Sequence, residues 1–249
     1  MFSHNLQGVN TMQTILTIFT KEFKTYFFSP IAYVFITVYL VVTNFLFFQG
    51  FFIINQADMR GYFSLLPWVF LIFVPSITMR TWAEEKKVKT LELLLTWPIN
   101  DIEVVIGKFL ASFCFLAITL LLSITIPVTI AILGNPDGGP IIGGYIGALF
   151  LGGAYLAIGL WISSLTENQI LAFIGGVVVT FCLFIVGNPF VTMLAPSFLV
   201  PVLNYIGIGN HFESVGRGVI DSRDIIYYLS VIGFFLFLNI RSIESRKWE

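Results

Sequence analysis

Charge is what this chain has least of. Asp, Glu, Lys and Arg make up 11% of its 249 residues, where a soluble globular domain carries roughly 25%. So few ionic groups cannot cover a water-facing surface. Hydrophobic residues account for 57%, with Phe at 27 positions, and mean hydropathy is +0.91. Composition alone selects a membrane protein. A net charge of −1 supplies no global field for a nucleic-acid partner. The two cysteines, Cys114 and Cys182, lie inside apolar runs and read as small buried hydrophobes. With only His4 and His211 beside them, no zinc spacing can be assembled.

Other absences bear on function. The chain has no phosphate loop of the form G-x-x-x-x-G-K-[ST]: Gly107-Lys108 lacks both the upstream glycine and the following hydroxyl. No Ser-His-Asp or H-E-x-x-H constellation is assembled from the sequence. The chain is therefore expected not to be an enzyme and to hold no cofactor or metal, and energy for any driven work must enter from another chain. No expected span carries a charged residue at mid-depth, the usual mark of an ion-coupled site. The polar residues that do fall there, Thr43, Asn44, Gln49, Ser123, Thr125 and Asn188, are mild. They read as helix–helix hydrogen bonds.

What is present is long apolar runs. A bilayer core of about 30 Å needs about 20 residues of helix. Spans are expected at about 31–54, 61–79, 102–133, 141–165, 169–194 and 225–240. Six spans put both termini on one side. Lys21, Lys24, Arg80, Lys86, Lys87, Lys89, Lys108, Arg241, Arg246 and Lys247 fall on that side, and Arg60, Arg217 and Arg223 on the other. The positive-inside rule then makes the first side cytoplasmic. Trp82, Trp97, Trp161 and Trp248 fall near the same boundary, where amphipathic rings prefer to lie. Residues 1–11 are polar, lack the order of a signal peptide, and read as a loose tail or a misassigned start. The remainder, 12–249, reads as one transmembrane domain.

Two segments are too polar to cross. Over 12–29 a helix places Lys21 and Lys24 on one side and Phe19 and Phe23 on the other, the pattern of an amphipathic helix lying in the membrane plane. The second is MRTWAEEKKVKTLELLLTWPIND at 79–101. Val88, Leu91, Leu94 and Leu95 follow helical spacing, so a short charged helix is expected over 84–97, stopped by Pro98. Asn100 with Glu103 resembles a capping box for the next span. The outer connection 195–222 is long enough to require one or two short re-entrant or in-plane helices. His211, beside Glu213, reads as a surface or capping residue. In the fourth span Gly143-x-x-x-Gly147 permits close helix approach.

This set resembles the ABC-2 type exporter permeases. Within them it is similar to the gliding-motility-associated ABC permease family of Bacteroidota. The residues that carry the likeness are TKEFKTYFFSPIAYV at 20–34, the 79–101 segment, VIGKFLAS at 105–112 and GNHFESVGRGVIDSRD at 209–224. The resemblance implies an all-α fold of six spans in the bacterial inner membrane. It also implies that the 84–97 helix is a coupling helix seated in a groove of a separate ABC ATPase subunit. Its ATPase-coupling residues would be Arg80, Glu84, Glu85, Lys86, Lys87, Lys89, Thr90 and Glu92. Pairing with a second permease copy is implied too, and with it a membrane protein bearing a periplasmic domain. Lys89 stands where the family has glycine, which favours a continuous helix there. Two other readings stay open: a membrane scaffold for a periplasmic partner, and a lipid-processing enzyme drawing on Asp58, Asp101, Glu103 and Glu213.

Overall fold

A computed structural model describes residues 11–54, 58–91, 99–216 and 221–245. The elements are helices throughout: α1 (Thr11–Phe28), α2 (Pro30–Ile54), α3 (Arg60–Thr78), α4 (Ala83–Lys87), α5 (Asp101–Leu122), α6 (Thr125–Leu133), α7 (Gly138–Leu165), α8 (Gln169–Ile185), α9 (Pro189–Thr192), α10 (Val200–Ile206), α11 (Ile208–Gly216) and α12 (Ser222–Glu244). Among the described residues there is no strand. Among the described residues, five helical stretches are long and apolar enough to cross a membrane: α2, α3 with its continuation to Lys87, α5 with α6, α7, and α12.

The bundle is built around α7, whose neighbours are α3, α5, α8, α11 and α12. A helix buried on nearly every side must let other backbones come close, and glycine does this. A Cβ added at Gly144 would run into the Phe63 ring of α3. At Gly152 it would meet Leu116 of α5, and at Gly159 Thr78 of α3. Gly143 and Gly147 are also buried. The core around α7 is aromatic and aliphatic, with Tyr39, Tyr62, Phe70, Phe115, Leu116, Leu151 and Tyr155 all sealed from solvent.

The expected third span is not one straight helix. It breaks at Ser123–Ile124 into α5 and α6. A break in an apolar medium frees backbone groups that must be re-satisfied. Here the Ser123 carbonyl accepts from the Tyr145 hydroxyl at 3.1 Å, and its side chain accepts from Tyr62 at 2.9 Å. Tyr62 lies 3.2 Å from the Tyr39 hydroxyl. Four hydroxyls thus gather where the chain bends.

The expected fifth span is also shorter. α8 has 17 residues, about 25 Å at 1.5 Å per residue. It stops because Pro189 disfavours helical geometry in the residue before it. Asn188 is extended, with ψ 144, and its side chain caps α9 instead. Gly176 faces Pro75 and Phe184 meets Trp68, so α8 runs antiparallel to α3 from one end of the bundle toward the other. The last span is longer than expected, taking both Asp224 and Arg241 into α12.

Overpacking should be costly where a neighbouring side chain already fills a glycine's space on α7, and harmless at an open glycine of α12. Gly144→Val is expected to destabilise the purified protein by about 1–3 kcal/mol, read as a lower melting midpoint in detergent. Gly233→Ala is the control, because a Cβ there meets nothing within 4 Å. Equal melting of the two variants would show that the α3–α7 contact is not tight.

Candidate functional site

The polar residues concentrate at one end of the bundle, where α1, α4, α5, α7 and the end of α12 meet. α1 turns its Thr14, Ile18, Glu22, Phe23 and Tyr26 edge inward and packs on α5. Close approach is needed at Gly107, where a Cβ would stand 2.7 Å from Ile18 Cγ2. Tyr26 lies 3.0 Å from the Ser112 hydroxyl and stacks on Phe115. Burial pushes the Tyr26 phenol above its ordinary value, so it remains a neutral hydrogen-bonding group. Lys21 and Lys24 stay on the exposed side, and Phe19 stacks on Phe23.

At the centre is Lys108, whose side chain is 1% exposed. Its ammonium donates to Glu22 Oε1 at 3.0 Å, to Glu85 Oε1 at 2.7 Å and to the Thr81 carbonyl at 3.2 Å. An ammonium has three donors, and all three are used. Its fourth side lies over the Trp82 ring, 4.7 Å from the centroid, a cation–π contact. Lys21 adds a second, looser cation 3.6 Å from Glu22 and 3.9 Å from Glu85.

α4 is fastened from the other side as well. The Ser163 hydroxyl accepts from the backbone N–H groups of Trp82 and Ala83 at 3.2 and 3.3 Å, and donates to the Met79 carbonyl at 3.2 Å. The Lys86 ammonium donates to the Ser164 carbonyl, in the last turn of α7, where the helix dipole favours a cation. Ser242 of α12 donates to the same carbonyl at 3.4 Å. Trp82, Leu91, Val104, Val105, Leu160 and Ile243 form the apolar floor beneath.

The expected coupling residues therefore divide. Glu85 and Lys86 face inward and hold α4 in place. Glu84, Lys87, Val88, Lys89 and Thr90 are exposed, Val88 by 64%. Glu92 and the rest of the expected 84–97 helix beyond Leu91 lie outside the described residues. Arg80 is half-buried at the end of α3. The helix is not continuous. α4 ends at Lys87, and Lys89 has φ 59, the left-handed region that costs an L-residue about 1–2 kcal/mol. The resemblance puts glycine at this place, the residue that adopts such a φ freely. The turn is kept here even though the side chain is not the one that suits it. The capping box at Asn100 is corrected too. α5 starts at Asp101, but the Asn100 side chain makes no backbone cap and instead donates to Glu103 Oε1 at 3.3 Å.

Two functional features escaped the sequence. One is Glu22, whose partner lies 86 residues away. The other is at the opposite end, where His211 is only 13% exposed. Its Nδ1 is 2.7 Å from Asp224 Oδ1, its Nε2 is 3.0 Å from the Tyr205 carbonyl, and its ring stacks 3.8 Å from Tyr227. Ser214 donates to the other Asp224 oxygen. The serine sits on the carboxylate and not on the imidazole, so no nucleophile relay is formed. Asp58 pairs with Arg60, Glu103 with Asn100, and the Glu213 side chain is outside the described residues. The acids of a lipid-processing site are thus scattered, and among the described residues no three metal-ligating side chains cluster.

With this geometry in place, the comparison with protein families is decisive: the ABC-2 family transporter protein profile matches residues 16–238. The chain belongs to that family. No curated protein matches the chain. An ABC-2 membrane protein is a transporter's membrane component and does no catalysis itself. The match spans α1, α4 and the Lys108 cluster, so the charged junction belongs to the family domain.

Two expected outcomes follow from the junction. Lys108→Met leaves Glu22 and Glu85 with only the looser, exposed Lys21 as counter-ion and should cost about 3 kcal/mol, seen as loss of monodisperse protein. Adding Glu22→Gln and Glu85→Gln should recover much of it. Lys89→Gly should raise the melting midpoint slightly or leave it unchanged, and Lys89→Val should lower it, because a β-branched residue tolerates this φ worst.

Proposed function

We propose that the chain is the permease subunit of an ATP-driven ABC transporter and that a separate ATPase docks on the exposed edge of α4. The observation that carries this is the contrast between the two sides of that helix. One side is tied to α1, α5 and α7 through Lys108, Ser163 and Lys86. The other offers Glu84, Lys87, Val88, Lys89 and Thr90 to a partner. A segment that must pass movement from a soluble motor to the membrane needs both properties.

In this reading α8 completes six crossings, and both termini and the charged end face the cytoplasm of a bacterial inner membrane. Lys21, Lys24, Arg80, Lys87 and Lys89 at that end support the orientation under the positive-inside rule. α1 lies at the membrane boundary. Two copies pair, each with its ATPase, and a membrane protein with a periplasmic domain joins them. Export, or service in a gliding machinery, is the role that the likeness in the 79–101 and 209–224 segments supports.

The test is co-purification with a separate ABC ATPase subunit from the same organism, co-expressed with the chain. Lys87→Glu with Lys89→Glu should lower ATPase recovery by about fivefold or more, about 1 kcal/mol of binding, while the permease inserts normally. Glu85→Lys should instead lower the yield of the permease itself. If the double reversal leaves ATPase recovery unchanged, α4 is not the docking edge.

A further inference from the structure

The charged junction has a cavity beside it, of about 400 Å³, between α1, the entry of α2, the end of α3 and α4. Its lining changes character from one side to the other. Lys21, Arg80, Glu84 and Glu85 form the polar side, and Ile31, Ala32, Phe35 and Ile77 the apolar side. The apolar wall continues into α2, whose Val34, Val38, Val41 and Phe45 are exposed along a membrane-length helix.

The polar side has unmet bonding capacity. Glu22 and Glu85 are neutralised by Lys108 and Lys21, all within 4 Å. Among the described residues Arg80 has no such partner: its Nε is buried and unbonded. A buried cationic N–H left without an acceptor is costly, and a guanidinium fork matches the paired oxygens of a phosphate or carboxylate. Glu85 Oε2 is likewise buried and unbonded, an acceptor open to a donor on the same ligand.

We propose that this cavity binds a phospholipid. The headgroup phosphodiester lies on Arg80, a headgroup hydroxyl or ammonium lies on Glu85, and the acyl chains follow Ile31, Phe35 and the exposed strip of α2. The site fits an amphiphile because its polar and apolar walls face one another at the end of a membrane span. A free anion would leave the apolar wall uncovered. A bound lipid would sit between α1 and α4, in contact with the elements that meet at Lys108. This goes beyond the transporter reading and is independent of any ATPase.

The experiment uses the purified full chain in detergent, with no ATPase present. Phosphatidylglycerol and diacylglycerol with the same acyl chains are titrated and adducts counted by native mass spectrometry. Phosphatidylglycerol should be retained and diacylglycerol should not. Arg80→Gln should weaken retention about tenfold, about 1.4 kcal/mol, and Arg80→Lys less. Arg60→Gln, at the other end and paired with Asp58, should have no effect. Because Arg80 has no side-chain partner among the described residues, Arg80→Gln should also leave the lipid-free melting midpoint unchanged. The proposal fails on any of three results: wild-type retention by Arg80→Gln, equal binding of diacylglycerol, or displacement of the lipid by millimolar inorganic phosphate. Collapse of the lipid-free Arg80→Gln protein would overturn it too, by giving Arg80 a role in the fold.

Discussion

Most of the polar end of this protein depends on one ammonium group. Taking Lys108 out of water costs several kcal/mol, and the fold recovers that cost only by aligning three acceptors around Nζ. Each acceptor comes from a different part of the chain: Glu22 from α1, the Thr81 carbonyl from the turn after α3, and Glu85 from α4. An apolar side chain of similar size could fill the same volume, but it would not fix the directions of its neighbours. A buried ion pair is weak evidence for stability. Here it does something else, which is to hold four elements in a single arrangement.

That arrangement explains how a five-residue helix can exist at all. Isolated helices shorter than about 12–15 residues are marginal in water, so α4 has no independent stability to draw on. The N–H groups of Trp82 and Ala83 at its start are bound by Ser163, its Glu85 by Lys108, and its Lys86 by the last turn of α7. These bonds tie α4 to α5 and α7. From α7 the contacts continue to α3 through Gly159, which lies against Thr78, less than one turn before Met79, where Ser163 also bonds. Short polar bonds and glycine contacts thus alternate along one path.

Hydropathy made the membrane spans legible, because a run such as 31–54 has one physical meaning whatever surrounds it. The family likeness was legible in the 79–101 segment for the same reason that it misled at Lys89. A non-glycine residue there argues against a left-handed turn on local cost, and tertiary contacts on both sides of the turn outweigh that cost. Asn100 and Glu103 carry the right spacing for a capping box, but spacing does not say which group each side chain will prefer. Glu22 could not be found from the sequence: on the amphipathic pattern of α1 it is one more polar residue, and only its meeting with Lys108 gives it a role. His211 is similar. A histidine in a loop looks exposed until Asp224 and Tyr227, both from the next helix, close around it. Local signals were readable, and pairings across dozens of residues were not.

The two ends of the bundle are built alike in one respect. Each is held by directional polar bonds between different helices, Lys108 with Glu22 and Glu85 at one end and His211 with Asp224 at the other. Between them the contacts are aromatic, aliphatic and glycine-mediated, with the hydroxyl group around Ser123 as the main polar exception. Apolar packing is non-directional and tolerates small sliding at little cost, whereas an ammonium with three fixed acceptors does not. The break between α5 and α6 lies nearer the His211 end, beside the first turn of α3, and its Ser123 carbonyl accepts from both the Ile126 N–H and the Tyr145 hydroxyl, so the bend leaves no backbone acceptor bare in apolar surroundings.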